Sequence, residues 1–145
     1  MQLTMDCADP VVMVAFWCEA LDYVPEPPPG DHPTWRAYWQ SIGVPPEELP
    51  PGAGETPESI VDPTGKGPRI WFQVVPESKT VKNRLHIDLG AVGGRDLPKE
   101  TRAKLGRAAV ERLTRAGGSV IRLVDEPDYF NAVMADPEGN EFCVG

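Results

Sequence analysis

Residues 2–7, QLTMDC, alternate strictly, with Leu3, Met5 and Cys7 on one side and Gln2, Thr4 and Asp6 on the other. A period of two predicts a strand with one buried face. Asp9-Pro10 then opens a helix, with Asp9 as N-cap and Pro10 in the first turn, where a missing N–H costs nothing. The helix body, VVMVAFWCEAL, is apolar on nearly every side, so it is expected to sit deep against a sheet. The same succession of patterns returns later. RLHIDLG at 84–90 alternates as a strand, and its LHID repeats the LTMD pattern 82 residues further on. PKETRAKLGRAAVERLTRAGG predicts a second helix, opened by Pro98 and closed by Gly117-Gly118. Its buried stripe is Ala109, Val110, Leu113 and Ala116. Three further strands are expected in SVIRLV, YFNAVMADPEGN and EFCVG.

Between the two repeats the pattern breaks. Twelve of the 17 prolines lie within 25–68, which excludes a long central strand or helix there. One piece, HPTWRAYWQSIG, still fits a short helix from near Pro33 to Gly43. Trp35, Tyr38, Trp39 and Ile42 would share a face of it. Two readings stay open: a surface helix pinned by its aromatics, or a lid over a ligand cleft. SIVDPTGKG predicts a short strand and a turn on Asp62, Pro63 and Gly65, and PRIWFQVVP a strand of β-branched and aromatic residues. ESKTVKN reads as a polar linker, and its neighbourhood carries the basic residues Lys79, Lys82 and Arg84.

Each repeat therefore reads β-α-β-β-β. The expected fold is α+β: two βαβββ modules forming a curved mixed-sheet trough with helices on the outer face. The whole chain, 1–145, is expected to be one domain. Module one spans 1–76 with a proline-rich insertion at 25–57, and module two spans 83–145. The phrases DPTGKG and DPEGN would mark the same turn in the two copies. Along the strand after the first of these turns, Arg69, Trp71 and Gln73 alternate, so all three are candidates to line the trough and touch a ligand. Trp35 and Trp39 are candidates from the insertion.

The net charge of −8 argues against a general nucleic-acid binder and favours cationic ligands. Cys7, Cys18 and Cys143 have no metal-like spacing and read as reduced core residues of a cytoplasmic protein. The longest apolar run, at 11–18, is too short to span a bilayer, and no secretory signal is visible. The unprotected sheet edges and the apolar first helix point to a homodimer.

Paired β-α-β-β-β modules, together with DCADPVVMVAFWCEAL, RLHIDL and MADPEGNEFCV, resemble the vicinal oxygen chelate superfamily in its glyoxalase-like branch. That superfamily includes bleomycin-resistance proteins and extradiol dioxygenases. The resemblance implies that each module gives one metal ligand from its first strand and one from its last. His86 and Glu141 match those positions in module two. In module one Gln2 matches the first, with Thr4 as the alternative. The second falls on Arg69 or Trp71, neither of which ligates a metal, and an arginine facing Glu141 would put an ion pair in the metal's place.

The resemblance thus implies a small-molecule enzyme of lyase or isomerase type. Gln2, His86 and Glu141 would hold a divalent ion (Zn, Ni, Mn or Fe), and Glu141 could also serve as catalytic proton acceptor. The alternative is a non-catalytic, drug-binding protein of the bleomycin-resistance type, for which an acidic, aromatic-lined cleft suits a cationic ligand.

Overall fold

The computed structural model describes residues 1–94, 96–126 and 129–145. The chain divides into two compact units, residues 1–18 with 22–76, and residues 19–21 with 77–145. Each holds a four-stranded sheet of the same design.

In the first unit the strands are β1 (Gln2–Cys7), β2 (Val24–Pro25), β3 (Ser59–Val61) and β4 (Arg69–Val74), in the order β1-β4-β3-β2. β1 and β4 are parallel and the other pairs antiparallel. The alternation of β1 is realised: Cys7 is buried, Leu3 and Met5 are half-buried, and Gln2, Thr4 and Asp6 are exposed. Helix α1 (Pro10–Leu21) connects β1 to β2. The Asp9 carboxylate caps it by accepting from the backbone N–H groups of Val11 at 2.9 Å and Val12 at 3.4 Å. Met13, Val14, Phe16, Trp17 and Ala20 are buried, whereas Val11 and Val12 are exposed. The helix is therefore covered along a broad stripe and not all round, because its first turn reaches solvent.

The proline-rich insertion lies between β2 and β3 and is folded. It carries helix α2 (Trp35–Ser41) and a 3-10 turn at Pro46–Glu48. Thr34 caps α2 by accepting from the Ala37 N–H at 3.1 Å. The Arg36 side chain donates to the Pro50 and Ala53 carbonyls at 3.0 and 3.3 Å, which ties the helix to the returning chain. Trp35 donates its indole N–H to the Glu26 carbonyl at 3.0 Å. With few apolar contacts available to polyproline chain, these bonds to main-chain carbonyls hold the insertion's shape.

In the second unit the strands are β5 (Asp88–Leu89), β6 (Ser119–Glu126), β7 (Tyr129–Ala135) and β8 (Glu141–Val144), ordered β5-β8-β7-β6. β5 and β8 are parallel, as β1 and β4 are. Helix α3 (Lys99–Arg115) connects β5 to β6 and packs on β6, β7 and β8. Gly106, Ala109 and Leu113 form its buried stripe. Gly106 replaces the expected Val110 and Ala116, which are only half-buried. A Cβ at Gly106 would stand 2.2 Å from the Phe130 ring, so the helix accepts a poor helix former to let the ring approach. Both modules thus have the order β-α-β-β-β.

The two DP-G turns are the same object. Asp62 accepts from the N–H groups of Thr64 and Lys66, and Asp136 from those of Glu138 and Asn140. The Gly65 N–H bonds the Asp62 carbonyl at 2.9 Å, and the Gly139 N–H bonds the Asp136 carbonyl at 3.0 Å. The Thr64 N–H, then the Thr64 hydroxyl and the Gly67 and Lys66 N–H groups, hold the Asp62 carboxyl below its ordinary range.

The expected strand at 84–90 is shorter than its alternation implied. Only Asp88–Leu89 pair as strand, with the ladder extended by a bond from the Cys143 N–H to the Ile87 carbonyl at 2.9 Å. Before Ile87 the main chain bonds to side chains instead. The Asn83 N–H donates to the Glu141 carboxylate, and the Asn83 carbonyl faces the His86 ring.

Gly54 gives a direct test of the insertion's fold. It is buried at φ +71°, and a Cβ there would lie 2.5 Å from the Trp39 ring and 2.7 Å from the Arg36 nitrogen. Gly54→Ala is expected to cost about 2 kcal/mol or more, through left-handed strain and displacement of Trp39. Chemical denaturation checks the loss, and a wild-type midpoint would refute this account of the insertion.

Candidate functional site

The parallel register of β1 and β4 sets Gln2 beside Arg69, Thr4 beside Trp71 and Asp6 beside Gln73. Residues paired in this way share one face of the sheet, here the face opposite Ile70 and Phe72. The Arg69 side chain is held at two points. Its Nε donates to Glu26 Oε2 at 2.6 Å and its Nη1 to Gln2 Oε1 at 2.7 Å. Ser59, itself buried, donates its hydroxyl to the same Glu26 oxygen at 2.7 Å. Glu26 directly follows β2 and is fixed by its own N–H on the Ser59 carbonyl at 2.9 Å. Within its own module, then, Arg69 has a carboxylate partner in Glu26.

Module two repeats the arrangement with other residues. The β5–β8 register pairs Asp88 with Cys143. Carried back two residues, it brings His86 level with Glu141, as Gln2 is level with Arg69. Glu141 Oε2 accepts from the Asn83 N–H at 2.8 Å and forms an ion pair with Lys79 Nζ at 3.2 Å. Asn83 also donates its side-chain amide to the Glu141 carbonyl at 3.4 Å. His86 lies just before β5 and is exposed, with Nε2 3.2 Å from the Asn83 carbonyl. Asn83 is thus the residue on which His86 and Glu141 meet. The Asn83 N–H, helped by Lys79, lowers the Glu141 carboxyl from 4.5 to about 2 against an opposing effect of burial.

A divalent ion at Gln2, His86 and Glu141 was the implied arrangement, and the donor atoms do not fit one. The Gln2 oxygen accepts from a guanidinium and the Glu141 oxygen from an ammonium. Each module thus sets an organic cation against the atom that would face the metal. Among the described residues no three His, Cys, Asp or Glu side chains gather as metal ligands. Cys7, Cys18 and Cys143 are free thiols.

The candidate ligand-binding residues fall in three places. Trp39, Trp71 and Gln73 line a cleft of about 680 Å³ with Leu49, Pro50 and Glu58. Glu48 is a further wall, so among the described residues the lining holds two carboxylates and no basic residue. Trp35 lines a smaller hollow of about 250 Å³ instead, where it braces the insertion. Arg69 borders neither; it belongs to the Gln2–Glu26 cluster.

Sequence reasoning missed Glu26, Ser59 and Asn83, and placed Lys79 in a basic linker without its partner Glu141. Glu26 was hidden in a proline run, and Lys79 and Asn83 in a stretch that reads as linker. The available signal was a charge count. Arg69 and Glu141 face the same kind of half-buried surface, so each needed an opposite charge from nearby chain.

The depressed Glu141 carboxyl ties stability to pH. A carboxyl lowered on folding stabilises the protein above the unfolded value near 4.5, and that contribution is lost as pH falls towards about 2. Glu141→Gln should therefore be less stable than wild type at pH 7, with the gap closing on acidification through that window. Urea midpoints from pH 7 to pH 2 measure it; a gap that stays constant would mean Glu141 is not ion-paired in the folded state.

The glyoxalase-like domain family model matches residues 2–145. Among curated proteins there is no sequence match. Solved structures share the fold at low identity. A glyoxalase/bleomycin resistance protein/dioxygenase family enzyme from Burkholderia phytofirmans PsJN is 16% identical, with a TM-score of 0.56 over 99% of this chain and 94% of that one. A hypothetical protein from S. aureus is 14% identical, with a TM-score of 0.60 over 99% and 90%. A glyoxalase-related enzyme from Fulvimarina pelagi is 15% identical, with a TM-score of 0.52 over 99% and 84%. The duplicated β-α-β-β-β order, the twin aspartate turns and a family match across almost every residue lead to one conclusion: the chain belongs to the glyoxalase-like domain family of the vicinal oxygen chelate superfamily.

Proposed function

We propose that this chain is a small-molecule-binding protein that takes an aromatic cation in the tryptophan-lined cleft of module one and works without a divalent metal. The carrying observation is the lining of that cleft: Trp39 and Trp71 as aromatic faces, Glu48 and Glu58 as carboxylates, and no competing cation. A cation over an indole face gains from the ring quadrupole, more so when partly desolvated, and the carboxylates add to it. The net charge of −8 favours the approach of such a ligand.

The ion pairs support the metal-free half of the reading. To bind a metal at Gln2, Arg69 would have to withdraw, and at Glu141, Lys79 would. Glu141 is also a weak proton acceptor in its present surroundings, since a carboxyl with a value of about 2 holds a proton poorly at neutral pH. The lyase or isomerase reading, with Gln2, His86 and Glu141 on a Zn, Ni, Mn or Fe ion, is the outcome that would replace this one. The same proposal takes the protein as a homodimer, for which the exposed apolar residues Val120, Ile121 and Leu123 on edge strand β6 give a reason.

Calorimetric titration with an N-methylquinolinium salt and with neutral quinoline tests the binding. The cation should bind more tightly, and Trp71→Ala should weaken it about tenfold or more. Equal binding of both probes would sink the cationic assignment. Melting curves with Zn²⁺, Ni²⁺, Mn²⁺ and Fe²⁺ should not move; stabilisation by one of them that disappears in His86→Ala would establish the metal site instead. Light scattering should give twice 15.9 kDa, and a monomer mass at micromolar concentration would refute the dimer.

A further inference from the structure

Module two contains a second cleft, of about 840 Å³, which shares no lining residue with the tryptophan-lined one. Its floor is apolar: Leu89, Val92 and Phe130 are buried there, and Ala103 of α3 closes one side. From these features we propose that it is a separate binding site for an amphipathic organic anion, a carboxylate on an alkyl or aryl body.

Polar groups divide between the walls. Lys99 and Arg102 stand on the α3 wall, and Asp88 and Glu126 come from the strands. An anionic head is therefore drawn to the helix side and repelled from the strand side. Two independent observations mark the helix side as incomplete without a ligand. The Arg102 Nε is buried with no hydrogen-bond partner among the described residues. A buried charged donor left unsatisfied is costly, and native proteins rarely tolerate one without a reason. Secondly, α3 begins at Lys99 without a side-chain cap, because its N-cap is Pro98. The first N–H groups of a helix this long carry partial positive charge and commonly receive an anion.

A carboxylate at this wall would accept from the Arg102 fork, with the first turn of α3 beside it. Its body would lie along Leu89, Val92 and Phe130, which supply the desolvated surface that makes such a bond strong. Size supports the class: the cleft is within the range that holds small organic ligands.

Octanoate and octanamide, titrated separately into the full chain, provide the test, read by calorimetry and by the methyl signals of Leu89 and Val92. Octanoate should bind saturably and move both sets of methyls, and octanamide should bind at least about tenfold more weakly. Arg102→Met keeps the apolar stem, removes the orphaned donor and is expected to fold; it should lose about tenfold or more of the octanoate affinity. Ala103→Leu leaves Arg102 in place but fills the cleft, and should weaken octanoate as well. Equal affinity for acid and amide, saturation without methyl shifts at Leu89 and Val92, or unchanged octanoate binding in both variants would overturn the proposal.

Discussion

The parallel pairing of first and last strand organises each module. β1 lies on β4 and β5 on β8, although 61 residues (8–68) intervene in the first case and 51 (90–140) in the second. Parallel neighbours cannot be joined by a tight turn, so a crossover must intervene, and here it is a helix followed by two antiparallel strands. That requirement yields the β-α-β-β-β order in both copies. In module one it also brings Gln2 and Arg69 to the same height on one face, while in module two His86 and Glu141 both meet Asn83. What the family fold supplies is this pair of meeting points, and what a given sequence does with them is separate.

Here both meeting points are closed by charge pairs made within the module. Arg69 lies between Gln2 and Glu26, and Glu141 lies between Asn83 and Lys79. The groups are only partly shielded from water, so the pairs are modest as stabilising elements but clear as occupants. An ammonium or guanidinium meets the need for positive charge next to a half-buried oxygen without the coordination shell a divalent ion requires. On the proposed reading, recognition falls to the apolar clefts.

The fold was legible because its signals are local and repeated. Alternation in QLTMDC, the Asp9-Pro10 start, the Pro98 start and the two DP-G phrases each rest on neighbours within a few residues. The helical packing partner Gly106 was not, since glycine carries no hydrophobic signal and its reason is the Phe130 ring far along the chain. The paired length of β5 was overread for a similar cause: RLHIDLG alternates, but Asn83 gives its N–H to the side chain of Glu141. At the candidate site, Gln2, Arg69, His86 and Glu141 could be placed by matching the two copies. Their partners could not, because Glu26 and Lys79 lie outside the repeated strands.

The insertion leaves and re-enters the sheet at adjacent points: β2 ends at Pro25 opposite Ile60 of β3, and the Glu26 N–H bonds the Ser59 carbonyl. Its ends are thus clasped to one another before the intervening loop is formed, and the entropy of closing such a loop grows only slowly with its length. The segment between these ends is free to lengthen, shorten or change its aromatic residues without shifting the register of β2 on β3. On the proposed reading, ligand preference can change by replacing this one cassette, while the duplicated scaffold stays as it is.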